Sequence, residues 1–171
     1  MNDLQKAIKN APTDLLCRAA RTLQEAHDFV EVNEFDIDHY GAERNAKSCC
    51  FIGSVHHVVG ESHGEPTWTH NAAALIALTA LDMAAMNAGA TGKNMGNRQA
   101  GGIAETFGFQ LQRELTAQEP FNWDGEEDYD AWIERNRAEQ KEKAIPVYRA
   151  ALRAMHEELA TRDDVPVETL A

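Results

Sequence analysis

The chain has 171 residues, of which 43% are apolar and 26% are charged, a composition ordinary for one globular domain with a buried core. Its 28 acidic and 16 basic residues give a formal net charge of −12, which disfavours binding to nucleic-acid phosphates or to an anionic membrane. No apolar window is long enough to cross a bilayer and no apolar stretch follows the first lysines, so we expect neither a membrane span nor a signal peptide.

Helical periodicity begins at the N-terminus. A short helix is predicted over residues 3–9. A second helix opens at Pro12 and Thr13, and its apolar residues recur at three- and four-residue intervals as far as Val30. This spacing places the apolar side chains on one face, which is typical of an amphipathic helix that packs on a core.

A polar and acidic stretch follows over residues 32–47 and is predicted to be a long loop. Ser48 is a favourable N-cap. We therefore expect a compact third helix over residues 49–59, ended by Gly60.

The middle of the chain contains its most apolar helix, predicted over residues 71–87. Its alanine- and leucine-rich run is apolar almost all round, so we expect it at the centre of the fold. Residues 89–102 contain five glycines and are predicted to be a loop. Another apolar stripe follows over residues 100–115.

The C-terminal part is predicted to be helical again. Asp124 and Glu127 have the spacing of a capping box, which predicts a polar helix from there to Ala144. Pro146 lacks an amide hydrogen and is expected to break or kink that helix, and an apolar stripe then continues to Ala160.

These patterns predict an all-α fold, a compact and irregular bundle of five or six helices. We expect a single helical domain over residues 1–160 and a C-terminal tail over residues 161–171. The odd number of cysteines, three, does not suit a disulfide framework and indicates a reducing, cytoplasmic compartment.

Histidine and cysteine residues concentrate between positions 39 and 70, and together they suit zinc. The candidate ligands are Cys50, His57, His63 and His70. Since a cysteine and a histidine seven residues apart lie about 10 Å apart along a helix axis, one ion would need further ligands from loops. Two alternatives stay open. The histidines and cysteines could be separate side chains that bind nothing in common, or a cysteine at a helix N-terminus could be an activated nucleophile.

The glycine-rich loop offers a second candidate site. Lys93 and Arg98, with backbone amides, are candidates to bind a small anion or a nucleotide. The phosphate-binding loop of nucleotide triphosphatases is excluded, because Asn87 and Asn94 occupy the positions where that motif requires glycine and serine or threonine. A loop that only joins two helices is the alternative.

Acidic residues form two runs, and the second, between Arg113 and Arg135, has eight acids and no basic residue. Such runs could mimic DNA phosphates, contact a basic partner or hold a divalent cation, although neither has the residue order of an EF-hand. A solubilising surface is the alternative. The candidate interaction surface comprises Trp123, Glu126, Glu127, Asp128 and Asp130.

Four features occur in order within residues 14–86: a Leu-Leu-x-x-Ala-Ala helix, an acidic loop, a Cys50-Phe-Ile-Gly53 helix start and an alanine-rich helix. This order resembles a small family from actinobacteria and their phages that is described only as a domain of unknown function. The doubled cysteine, the His56–His57 pair and the C-terminal helices have no counterpart in that pattern. The resemblance implies a small helical accessory protein of phage type and carries over no reaction or catalytic residue.

We therefore expect a small acidic binding protein without catalysis, which engages a host or phage protein through its acidic surface. No cofactor is expected in that case, and no direct contact with nucleic acid or membrane. The alternative is a metal- or nucleotide-binding protein, with zinc as the metal, in which enzymatic activity stays open. Self-assembly as a homodimer through the C-terminal helices is a third hypothesis.

Overall fold

The structure, a computed structural model, describes residues 3–36, 46–62, 71–89 and 121–166. Within these ranges it is mostly helical, which confirms the predicted all-α class, with one short pair of parallel strands. The elements are α1 (Asp3–Asn10), α2 (Thr13–Val32), β1 (Glu34–Phe35), β2 (Ser48–Cys49), α3 (Phe51–His57), α4 (Ala72–Asn87) and α5 (Tyr129–Leu159).

The hydrophobic core lies where α2, α4 and α5 pack against one another, and α1 and α3 also contact α4. The predicted stripe of α2 faces this core, with Leu16, Leu23 and Val30 fully buried. As its composition predicts, α4 buries residues around most of its circumference and lies at the centre. Neither α4 nor any other helix in the described ranges is long and apolar enough to cross a membrane.

A parallel strand pair closes the region that was predicted as a long loop. Glu34 pairs with Ser48, and Phe35 pairs with Cys49. The fully buried ring of Phe35 meets the ring of Phe51 at a centroid distance of 5.0 Å, so an apolar contact accompanies the backbone pairing. Both ends of the predicted loop therefore have regular structure, and residues 37–45 lie outside the described residues.

The predicted start and end of the third helix are wrong. Ser48 belongs to β2, and its place as N-cap is taken by Cys50, whose Sγ accepts a hydrogen bond from the amide of Gly53 at 3.5 Å. Helical structure does not end at Gly60, because a π-helical turn, Val58–Ser62, follows α3. The strand pairing is a contact between distant residues, and it overrides the local preference of serine for a helix start.

The long helix α5 also differs from its prediction. It begins after Asp128 rather than Asp124, because the amide of Asp124 donates to the side chain of Asn122 in a preceding turn. It also runs through Pro146 without interruption. Pro146 is exposed, so the carbonyl that lacks a donor there can be hydrated, while Ala144, Val147 and Tyr148 hold the helix on the core.

Polar side chains of α5 attach β1 and the end of α2. Arg137 contacts Asp36 through Nε at 3.0 Å and Nη2 at 2.9 Å, and its Nη1 donates to Glu34 at 3.2 Å. Lys141 donates to the backbone carbonyls of Glu31 and Asn33, both at 2.8 Å. These carbonyls lie at the C-terminal end of α2, where a cation is favourable.

Contacts to α1 come from beyond residue 160, where the predicted tail begins. Arg162 donates to the carbonyls of Ile8, Lys9 and Ala11 at distances of 3.2, 3.0 and 2.6 Å. The division into a domain and a tail stays a prediction, but the first residues of the tail range are in contact with the N-terminal helix.

The helix α4 ends at Asn87, as predicted, and Gly89 follows its C-cap. Gly89 has a φ of +107°, a backbone conformation that residues other than glycine rarely adopt. Its amide donates to the carbonyl of Met86. The remainder of the predicted glycine-rich loop and the apolar stripe of residues 100–115 lie outside the described residues.

Candidate functional site

An aromatic cluster lies where the chain enters α5. The ring of Phe121 packs edge-on against Trp123 at 4.8 Å, against Tyr129 at 5.2 Å and against Trp132 at 5.4 Å. The other three rings form an offset stack, with centroid distances of 5.7 Å from Trp123 to Tyr129 and from Tyr129 to Trp132. Trp123 is 79% exposed and Tyr129 is 46% exposed.

The local sequence explains this arrangement. Gly125 donates its amide to the carbonyl of Asn122, which closes a turn, and a Cβ at Gly125 would lie 3.2 Å from that oxygen. Asp128 then caps α5 by accepting from the amides of Asp130 and Ala131. With the helix start fixed there, Tyr129 and Trp132 are three residues apart and share one face.

Acidic residues occur in the same segment of the chain as the stack, and two of them already have hydrogen-bond partners. Glu127 accepts two hydrogen bonds from Arg135, both at 2.9 Å, and these bonds hold the pKa of its carboxyl below the usual range. Asp128 caps the helix. Glu126 and Asp130 are exposed and have no ion-pair partner in the part of the chain that the structure describes.

The predicted interaction residues are all exposed within residues 123–130, and Tyr129 is exposed there as well. We call this the acidic–aromatic surface; its members are Trp123, Glu126, Glu127, Asp128, Tyr129 and Asp130. The sequence did not show which of these acids are already engaged in hydrogen bonds, because the partner of Glu127 is eight residues away.

The predicted zinc ligands are only partly described. His63 and His70 lie outside the described residues, as do Lys93 and Arg98 of the predicted anion site. Cys50 caps α3 at one end, and the ring of His57 at the other end packs on Phe29 at a centroid distance of 4.2 Å. Within the described ranges neither of them belongs to a group of three possible metal ligands.

A different group of possible ligands, absent from the predictions, lies on α2. His27, Asp28 and Glu31 each offer one ligand atom, and these atoms all lie within 4.8 Å of one another. The signal that could have found them is the spacing i, i+1 and i+4 in a predicted helix, since residues four apart share a face. Asp28 and Glu31 belong to the first acidic run, which begins at Glu25, and His27 directly precedes Asp28.

Several polar groups are buried in the core. Burial raises the pKa of the Asp82 carboxyl well above its usual value, and it lowers the pKa of His56 from 6.5 to about 4. The Tyr148 hydroxyl is fully buried and lies 2.6 Å from Oγ of Ser54. None of these groups lies on the acidic–aromatic surface, so we expect their substitution to change the stability of the fold.

Comparison with known proteins gives no family. No protein-family model matches the chain, and neither curated proteins nor solved structures match it. A function is therefore inferred below from the chemistry of the chain's own residues.

Proposed function

We propose that this protein is a binding protein that receives a basic segment of a partner protein on its acidic–aromatic surface. The observation that carries the proposal is Trp123, a tryptophan with 79% of its surface exposed and stacked on Tyr129 among carboxylates. That the partner is a host or phage protein stays a prediction from the sequence resemblance.

The aromatic rings supply the first part of the argument. Tryptophan and tyrosine are enriched at protein interfaces and dominate binding energy there, because they bury a large area at small entropic cost. The stack is held from one side by Phe121, so its geometry exists before a partner arrives. A rigid, exposed ring face is also the group on which a cation is attracted by the π-electrons.

The charges supply the second part. Glu126 and Asp130 lie close to Trp123 and Tyr129 in sequence and are exposed, with no ion-pair partner in the described ranges. The formal net charge of −12 steers a positive partner toward the molecule. A second copy of the chain would bring like charges together here, so this surface favours a basic partner over self-association.

Arginine fits the surface better than lysine. A guanidinium group is planar, stacks on an aromatic face and binds a carboxylate through two parallel hydrogen bonds. The stack and its neighbouring carboxylates offer both interactions together. We therefore expect a partner segment that is rich in arginine.

The test is a calorimetric titration of the full chain with a short arginine-rich peptide and with its lysine-rich counterpart. We expect saturable binding that is tighter for the arginine peptide. Trp123→Ala removes the outer ring of the stack and should weaken binding by about 2- to 30-fold, the range of one cation–π contact. Glu126→Lys with Asp130→Lys should weaken it at least tenfold.

A charge-matched control separates this surface from the general negative field. Glu157→Lys with Asp163→Lys changes the net charge equally, and both residues are exposed in the C-terminal part of the structure. Binding should survive this control nearly intact. Equal losses in the two double variants, or no saturable binding, would reject the proposal.

A further inference from the structure

The ring of His27 on α2 is buried and lies between two carboxylates. Only 7% of the residue is exposed. Its Nδ1 lies 3.0 Å from Oδ1 of Asp28, and its Nε2 lies 3.3 Å from Oε1 of Glu31. The edge of the ring faces Tyr148 at a centroid distance of 6.2 Å, so packing as well as hydrogen bonding fixes its orientation.

The Nε2 atom is the unusual part of this group. It has no solvent contact and no hydrogen-bond partner within the described residues. The nearby Oε1 of Glu31 lies at 3.3 Å but outside hydrogen-bond geometry. Buried polar nitrogens almost always have a partner, so an orphaned one that faces a carboxylate oxygen indicates a missing ligand.

We propose that His27, Asp28 and Glu31 form a binding site for a divalent transition-metal ion, with Zn²⁺ as the best fit. Nε2 of His27 and Oε1 of Glu31 are the ligands of this site and match the preferences of zinc, while Asp28 lies outside the coordination sphere, on Nδ1. With metal–ligand bonds of about 2.0–2.2 Å, the ligands of a tetrahedral ion are about 3.4 Å apart. The 3.3 Å between Nε2 of His27 and Oε1 of Glu31 already matches that separation.

The neighbouring side chains fit this role. The close contact with Asp28 holds Nδ1, so that Nε2 is directed toward Glu31, as the outer partners of metal-bound histidines do. Gln24 donates to the same oxygen of Asp28 at 2.8 Å and fixes that carboxylate in turn. Both carboxylates are substantially exposed, so an ion can reach the site from solvent.

Arg149 of α5 is the competitor for this site. Its Nη2 lies 2.8 Å from Oε1 of Glu31, so the metal and the guanidinium would share one oxygen. The Arg149 side chain is 60% exposed and can swing into solvent. A surface ion pair of this kind stabilises by only about 0–1 kcal/mol, so a metal ion can displace it.

The experiment is a titration of chelator-treated, full-length protein with Zn²⁺ alone, followed by calorimetry and by native mass spectrometry. We expect one ion bound at this site. Glu31→Gln should weaken that binding at least tenfold, and Asp28→Asn should weaken it as well. Glu157→Gln, an exposed acid on α5, is the control that should leave it unchanged.

A second pair of variants tests the competition. Arg149→Gln should strengthen zinc binding by up to about 5-fold, because it frees Glu31 from its ion pair. Arg153→Gln removes an equal charge from an exposed position one turn further along α5 and should have a much smaller effect. A merely structural role for Glu31 and Arg149 would not make the Arg149 variant a better metal binder.

The outcomes that overturn the proposal are specific. They are no bound zinc, zinc binding that Glu31→Gln leaves unchanged, or equal effects of Arg149→Gln and Arg153→Gln. Binding that is lost in His57→Ala but kept in Glu31→Gln would also overturn it and would place the metal at the histidine and cysteine residues singled out from the sequence.

Discussion

At Asp82 a carboxyl group lies inside the central helix with 1% of the residue exposed, and neither oxygen has a hydrogen-bond partner among the described residues. Burial raises the pKa of this carboxyl well above its usual value, because the low-dielectric core disfavours the charged form. Between the unfolded and the folded pKa the folded protein therefore holds a proton here that the unfolded chain has lost.

The sign of the pH dependence follows from that difference. With more protons bound in the folded state, the free energy of unfolding falls as pH rises from the unfolded pKa toward the folded pKa. Asp82→Asn removes this dependence, so its stability relative to the native chain should increase as the pH rises from the unfolded pKa toward the folded pKa, at a limiting rate of about 1.4 kcal/mol per pH unit.

Urea unfolding of both proteins at a series of pH values measures this difference. Asp163→Asn, at an exposed position, is the control, and its difference from the native chain should stay flat with pH. A flat difference for Asp82→Asn as well would show that the carboxyl is ionised in the folded state.

A second residue-scale prediction concerns Ser54 and Tyr148. The single hydroxyl hydrogen of Ser54 is donated to the carbonyl of Phe51 at 2.8 Å, so Tyr148 must be the donor in the 2.6 Å contact between the two hydroxyls. Ser54→Ala leaves the Tyr148 hydroxyl buried without a partner, at a cost of about 1–3 kcal/mol.

The companion variant distinguishes this cause from a simple loss of packing. Tyr148→Phe keeps the bond from Ser54 to Phe51 and should cost less, about 0.5–1.5 kcal/mol. Chemical denaturation of the two single variants and the double variant gives the coupling, and the double variant should cost less than the sum. Strict additivity would contradict the assigned donor.

At the scale of elements, the boundaries of α2 and α4 could be predicted from the sequence almost as observed. Pro12 and Thr13 give a local start signal for α2, and the apolar run of α4 ends at Asn87 just before the glycine-rich stretch. The starts of α3 and α5 could not be predicted. Whether Ser48 caps a helix depends on strand pairing with Glu34, a contact with a distant residue that local sequence does not contain.

The helix start of α5 provides a direct test at this scale. Asp128→Ala removes the acceptor of two backbone amides and should lower the free energy of unfolding by about 0.5–2 kcal/mol. Asp124→Ala should change it little, since the amide rather than the side chain of Asp124 bonds to Asn122. Thermal unfolding measures both variants. A larger loss of stability in Asp124→Ala than in Asp128→Ala would contradict the cap at Asp128 and support the capping box predicted at Asp124.

The candidate sites show the same limit of prediction. The residues of the acidic–aromatic surface are close in sequence, so the run of acids and aromatics revealed them. The group at His27 involves Arg149, more than a hundred residues away, so its charge balance could not be predicted. The i, i+1 and i+4 spacing was visible, but nothing local shows that the His27 ring is buried.

At the scale of the whole molecule, the last described residues join the two ends of the chain. The Arg162 side chain is 13% exposed and bonds to three carbonyls near the end of α1. Arg162→Ala removes the side-chain donor to these carbonyls, of which that of Ile8 keeps the amide of Ala11, and should lower the free energy of unfolding by about 1–3 kcal/mol. Arg153→Ala, at an exposed position, is the matched control, and equal stability of the two variants would contradict this role for Arg162.

The excess of negative charge is also a property of the whole molecule, and it makes the location of binding the decisive question. A nuclear magnetic resonance titration of the ¹⁵N-labelled chain with the arginine-rich peptide answers it directly, with Trp123→Phe used to assign the Trp123 indole signal. We predict that this signal and the backbone amides of residues 126–130 shift together and saturate with one dissociation constant. Shifts that never saturate, or that concentrate on the acidic run of residues 25–36 while the Trp123 signal stays still, would contradict the proposed function.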